Sequence, residues 1–169
     1  GKKWFALHGT NSILRFLADG RVDSPRENDP FMELLGSQFL SHPPIAPYLV
    51  EPSDPEHPLV QGIDPFTVDD ELYLSAVHGE HHLLLHTRWT GTTPVFVDSE
   101  WQEDLPRPCM YLHPFGAGEV LYLTLGHCRG KYDMQPLIEE YPEVELGSWK
   151  TPEYTELLRR GIRWAMGAL

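Results

Sequence analysis

Cysteine is scarce in this chain. Cys109 and Cys128 are the only two among 169 residues, too few for a disulfide framework or a cysteine zinc cage. They read as reduced, part-buried thiols that suit a reducing compartment. No long apolar h-region follows Gly1-Lys2-Lys3, so the expected location is cytoplasmic. No apolar run approaches the roughly 18 residues of a membrane span, and no membrane partner is expected. Basic charge is also short: 13 Lys+Arg stand against 25 Asp+Glu, a formal net charge of -12, without basic clusters. That argues against nucleic acid, because phosphate affinity comes from Lys and Arg. A Gly-rich phosphate loop, a G-x-S-x-G elbow and an H-E-x-x-H helix are all missing. Cys128 is adjacent to His127, and neighbouring side chains of an extended strand diverge, which disfavours a Cys–His dyad there. Aromatics are not lacking. Five Trp, seven Tyr and seven Phe exclude a disordered chain. What remains is one acidic, soluble globular domain, without a repeat, a low-complexity tract or a linker.

Along the chain, Trp4 to Leu7 reads as a core strand ended by His8-Gly9-Thr10. Thr10 or Asn11 then caps an expected helix with Ile13, Leu14, Phe16 and Leu17 inward and Gly20 beyond its end. Residues 20–28 read as loop. Asp29-Pro30 reads as an N-cap with proline in the first turn, Phe31, Leu34 and Leu35 as a helical stripe, and Gly36 as its stop. Ile45 to Val50 is a strand placed near an edge by Pro47. Further strands are expected over Glu71–Val77, Leu83–Thr87 and Pro94–Asp98, and a hairpin over Met110–Pro114 and Glu119–Leu125 around Gly116. Thr151-Pro152-Glu153 opens a last helix through Met166, with Tyr154, Leu157, Leu158, Ile162 and Ala165 on one stripe. Helices at both ends with strands between predict an α/β sheet covered on both faces, made mixed by the hairpin.

Two histidines directly follow apolar strands. His8 ends Phe5-Ala6-Leu7, and His127 ends Leu121-Tyr122-Leu123-Thr124-Leu125-Gly126. In open α/β sheets ligands bind beyond the carboxyl ends of strands. Parallel neighbours would bring both imidazoles to one crevice, where each serves as base or as metal ligand. Asp69-Asp70-Glu71 precedes a strand, and alternation would let only one acid of each set face that crevice. His78, His81, His82 and His86 have helix-like spacings on strand-like sequence, so they scatter over two faces instead of forming a metal box. His42 follows Gln38-Phe39-Leu40 and is a better site candidate than His57.

In this order the residues resemble the ThuA-like (trehalose-utilisation) family of the class I glutamine amidotransferase-like superfamily. The matching pieces are Phe5-Ala6-Leu7-His8-Gly9, Phe31-Met32-Glu33-Leu34-Leu35-Gly36 with Phe39 and Ser41-His42-Pro43, His57-Pro58 with Gly62, and Asp70-Glu71-Leu72-Tyr73. They continue with Pro94-Val95, Gly116-Ala117-Gly118-Glu119-Val120, Leu125-Gly126-His127 and Gly161-Ile162-Arg163-Trp164-Ala165. The resemblance implies a flavodoxin-like three-layer α/β/α sandwich over residues 1–169, one domain lacking two β-α units ahead of the strand that ends at His8. It implies a site of His8, Glu71 and His127, with Asn11, His42, Asp70 and Tyr73 nearby to bind substrate, and His8 and His127 as ligands if a divalent metal such as zinc or manganese is used. His8 stands where amidotransferase relatives carry the nucleophilic cysteine, so thioester chemistry and glutamine amidotransfer are not expected. The implied function is a carbohydrate-metabolism enzyme acting on trehalose-like or keto-glycoside sugars by His/carboxylate acid–base chemistry. The alternative is a non-catalytic carbohydrate-binding or assembly domain. The expected partner is a small sugar, and a homo-oligomer stays open.

Overall fold

The structure, a computed structural model, describes residues 1–27, 29–136 and 138–169. Asn28, in the loop expected over 20–28, and the side chain of the expected cap Asp29 lie outside the described residues. The strands in chain order are β1 (Lys3–Leu7), β2 (Arg15–Phe16) and β3 (Val22–Asp23). Helix α1 (Asp29–Leu35) follows. Next come β4 (Ser37–Ser41), β5 (Ala46–Pro52), β6 (Phe66–Asp70), β7 (Leu74–Val77), β8 (His82–Arg88), β9 (Gly91–Thr92), β10 (Glu100–Trp101), β11 (Pro106–Phe115) and β12 (Gly118–Leu123). Helix α2 (Pro152–Ala165) closes the sequence of elements. Six strands form the main sheet in the order β1-β12-β11-β8-β5-β6, and β4 pairs with β7 in a separate two-stranded ribbon.

Strand alternation divides this sheet into two faces. Ala6, Tyr111, Val120 and Tyr122 point to one side and pack on Met32 and Leu35 of α1. Met110, Leu112, Leu121 and Leu123 point to the other side and pack with Tyr154, Leu157 and Trp164 of α2. The result is an α/β, three-layer, flavodoxin-like arrangement, helix-poor, with a mixed sheet: β1 runs parallel to β12, and β11 antiparallel to both β12 and β8. The C-terminal hairpin and final helix lie where the sequence places them. Among the described residues no helix is long and apolar enough to cross a membrane.

Three local expectations are corrected. No helix follows Asn11. A 3-10 turn over His8–Asn11 is closed by Thr10, whose hydroxyl donates to the Leu7 carbonyl at 2.6 Å, and Asn11 is pulled inward by Ser37 at 2.7 Å. The chain then forms the β2–β3 hairpin, where Leu17 and Arg21 pair across a turn at Gly20. The strand expected over Glu71–Val77 is broken at 71–73, because the Asp70 carboxylate captures the Glu71 N–H at 2.7 Å and takes it out of ladder pairing. Pro94–Asp98 is a turn that touches β3 through one bridge, Val22 to Phe96. Pro47 fits its edge signal locally: Ala46–Val50 pair with β6, and β8 engages only Glu51 and Pro52.

The buried face of α2 is Tyr154, Leu157, Gly161 and Trp164, and Ile162 of the expected stripe is 54% exposed. The histidine run scatters. His82 meets Asp54 at 2.8 Å, His86 meets Ser53 at 2.8 Å, and His81 donates to the Gly36 carbonyl at 2.6 Å while stacking on Tyr111.

Candidate active site

Parallel pairing of β1 with β12 brings the two Gly/His strand exits to one edge of the sheet. His8 stands on the elbow after β1 with a φ of 34°, a left-handed conformation that costs a non-glycine residue about 1–3 kcal/mol. Buried Tyr122 holds the elbow: its hydroxyl donates to the His8 carbonyl at 2.6 Å and accepts the Asn11 N–H at 2.9 Å. The His8 imidazole donates from Nδ1 to the Thr124 carbonyl at 2.8 Å. Its ring lies 4.4 Å from Tyr73 and 5.5 Å, edge-on, from His127.

Glu71 is the centre, a carboxylate only 7% exposed in the break between β6 and β7. Its Oε2 lies 3.3 Å from His8 Nε2 and 3.3 Å from His127 Nδ1. Its Oε1 lies 3.2 Å from His42 Nε2 and 3.8 Å from Arg129. The far nitrogens are fixed as well. His42 Nδ1 donates to the Pro43 carbonyl at 2.7 Å, and His127 Nε2 donates to Glu145 at 2.7 Å. Burial alone would push the Glu71 carboxyl up. Hydrogen bonds from His127 and His8 and the nearby His42 override it and hold the group well below the usual carboxylate range. His127 shows the mirror balance: burial works against its charge, but bonding to Glu71 and Glu145 raises its pKa.

Asp70 builds the platform beneath. It is 1% exposed and turns away from the site. Oδ1 accepts the N–H groups of Glu71 and His127, at 2.7 and 3.0 Å. Oδ2 accepts those of Gly126 and Ser148, each at 2.9 Å, together with the Ser148 hydroxyl. One buried carboxylate thus fixes the backbone of both Glu71 and His127.

Of the residues expected at the site, His8, His42, Glu71, His127 and Tyr73 line one cleft of about 520 Å3. Asn11 and Asp70 lie beneath it as supports. Glu145 and Arg129 join the site without having been anticipated. Arg129 stands two residues beyond His127 and could have been found from that spacing. Glu145 belongs to an acidic stretch that reads as a solvated loop.

Nitrogen and oxygen atoms of His8, Glu71 and His127 all lie within 4.8 Å of one another. Zinc–ligand bonds of about 2.0–2.1 Å put tetrahedral neighbours roughly 3.3 Å apart, the separation found from Glu71 to both imidazoles. Both candidate ligating histidines donate their other nitrogen to an oxygen, as metal-bound histidines do.

Residues 16–140 match the family model for trehalose utilisation, ThuA. No curated protein matches the chain. Among solved structures, a ThuA-like protein from Bacteroides uniformis ATCC 8492 is similar over 98% of this chain and 58% of its own, at 17% identity and a TM-score of 0.59. A ThuA-like protein from Parabacteroides merdae ATCC 43184 is similar over 95% of this chain and 50% of its own, at 18% identity and a TM-score of 0.50. This chain therefore spans between half and three-fifths of these relatives' own length, and the likeness is one of fold.

Proposed function

The chain belongs to the trehalose-utilisation (ThuA) family, and from that premise we propose that it is a carbohydrate-metabolism enzyme acting on a trehalose-like or keto-glycoside sugar. The observation that carries the proposal is the convergence of three imidazoles on one buried carboxylate, with each outer nitrogen already held by an oxygen. Such a set moves protons without reorganising. Glu71 stays ionised and orients the imidazoles. His127, held between Glu71 and Glu145, keeps a proton in reserve. His8 and His42 stand at the open side, with 18% and 25% of their side chains exposed. From there the two imidazoles can exchange a proton with a sugar hydroxyl or carbonyl in the cleft.

His8, Glu71 and His127 are the residues that would hold a divalent metal such as zinc or manganese. Bound there, it would supply Lewis-acid polarisation of a sugar oxygen. Arg129, tied to Glu71 and Glu145, offsets part of the acidic charge and keeps Glu145 aimed at His127.

The test is a thermal-shift and turnover screen of trehalose and keto-glycosides, with and without zinc or manganese. Substitutions His8→Ala, Glu71→Gln and His127→Ala should each abolish turnover and any metal-dependent stabilisation while the far-ultraviolet circular dichroism is kept. Sugar binding that is indifferent to metal and survives His127→Ala would instead identify a non-catalytic binding domain.

A further inference from the structure

The walls of the cleft differ sharply from its floor. His8, His42, Glu71 and His127 line one part of the cleft, and Leu14, Phe16, Val95, Phe96 and Met134 line another. Three of these are open to solvent: Leu14 is 46% exposed, Phe16 54% and Val95 58%. Contiguous exposed apolar surface inside a concave site marks a place where something apolar binds.

This wall is a built structure. The β2–β3 hairpin is stitched to the segment 93–97 by the Val22 N–H on the Val95 carbonyl at 2.8 Å and the Val97 N–H on the Val22 carbonyl at 2.9 Å. Val22 and Phe96 pack with Phe39 and Tyr73 beneath, and Tyr73 in turn backs His8. The wall and the reacting groups are therefore fixed relative to one another.

The hydroxyl hydrogens beside the wall are already used, and one oxygen of Asp133 is taken. The Thr93 hydroxyl donates to the Asp98 carbonyl, Ser12 donates to the Tyr73 hydroxyl, and Asp133 accepts the Gly130 N–H. A free disaccharide carries a hydroxyl on nearly every carbon, and its second ring would lie against carbon with few partners. Desolvating those hydroxyls without replacement costs binding energy.

We propose that the ligand of this cleft is a glycoside whose aglycone is an apolar ring, seated between Phe16 and Val95, with the sugar on the histidine floor. The proposal rests on the reading that the floor handles a sugar, and it narrows the substrate class within that reading. The cleft's 520 Å3 is in the range of small-molecule sites, large enough for two rings.

The experiment measures binding of phenyl glucoside, methyl glucoside of the same anomeric form, and trehalose to the whole chain by calorimetry. Phenyl glucoside should bind about tenfold or more tighter than methyl glucoside, as expected for burial of one aromatic ring. Phe16→Ser and Val95→Ser, at exposed positions, should remove that preference while the far-ultraviolet circular dichroism is kept. Equal affinities, a preference that survives both substitutions, no measurable binding, or tightest binding of trehalose would overturn the proposal. So would concentration-dependent dimerisation that Phe16→Ser abolishes, since a second copy would then be what covers the wall. A phenyl preference without turnover on any glycoside would overturn the enzymatic reading while leaving this one standing.

Discussion

Replacing Asp70 by Asn keeps the size of the side chain and removes half of its capacity to accept hydrogen bonds. In the native protein one carboxylate oxygen takes the Glu71 and His127 N–H groups, and the other takes the Gly126 and Ser148 N–H groups with the Ser148 hydroxyl. An amide can present oxygen to one set only. Its NH2 then faces the other set, and at least two buried backbone donors lose their acceptor. Each orphaned donor costs about 1–3 kcal/mol, so Asp70→Asn should lower stability by about 2–6 kcal/mol. Domains hold only about 5–15 kcal/mol in total, which makes this a large fraction. At about 2–4 °C per kcal/mol for a chain of this length, the melting temperature should fall on the order of 10 °C. Urea unfolding followed by circular dichroism measures the loss directly, provided that the slope with denaturant is unchanged. Asp70→Ala, which orphans all four backbone donors, should cost more than Asp70→Asn. A loss below about 1 kcal/mol for the Asn variant would refute the claim that this carboxylate organises the site.

Burial, with help from neighbouring His113 and His78, lowers the His81 pKa to about 4. Its neutral form is the one that fits, so its contribution to stability is complete above the ordinary value of 6.5 and is lost as pH falls towards 4. His81→Phe keeps the ring on Tyr111 and should flatten the decline between those pH values; parallel pH–stability curves for the two proteins would contradict this. Gly161→Ala would place a methyl carbon 2.4 Å from the Phe5 ring, and overpacking of about 1–3 kcal/mol should exceed the gain in helix propensity of up to about 1 kcal/mol. Denaturant unfolding should show a net loss, and a stabilised variant would mean that β1 and α2 can separate without cost.

Elements whose apolar pattern had one solution were legible in the sequence: β1, the β11–β12 hairpin and α2. Where one polar side chain overrides the pattern, the reading failed. Ile13, Leu14, Phe16 and Leu17 have helical spacing, but the Thr10 side chain closes a local turn on Leu7, the Asn11 side chain goes to a tertiary partner, Ser37, and Leu14 and Phe16 face the cleft. Asp70 breaks the strand after β6 in the same way. In the α2 stripe Tyr154, Leu157, Leu158 and Ala165 pack as expected, and only Ile162 is exposed, because the turn is centred on Gly161, a residue invisible to hydrophobic patterning, beside Phe5. His8 and His127 were legible as strand exits, whereas Glu145 was not, because its role depends on a loop that returns to pair with Arg129.

The bond from His8 to the Thr124 carbonyl spans 116 positions of the chain, and this separation governs when the site comes into being. Joining such distant segments carries a loop-closure entropy that local turns do not, and contacts of this span are slow to form. The β11–β12 hairpin can form from neighbouring residues, but the histidine pair exists only once β1 has docked on β12. Occupancy of the floor by a ligand would therefore stabilise the long-range step and no local one, and recovery of binding during refolding would time the docking of β1 itself.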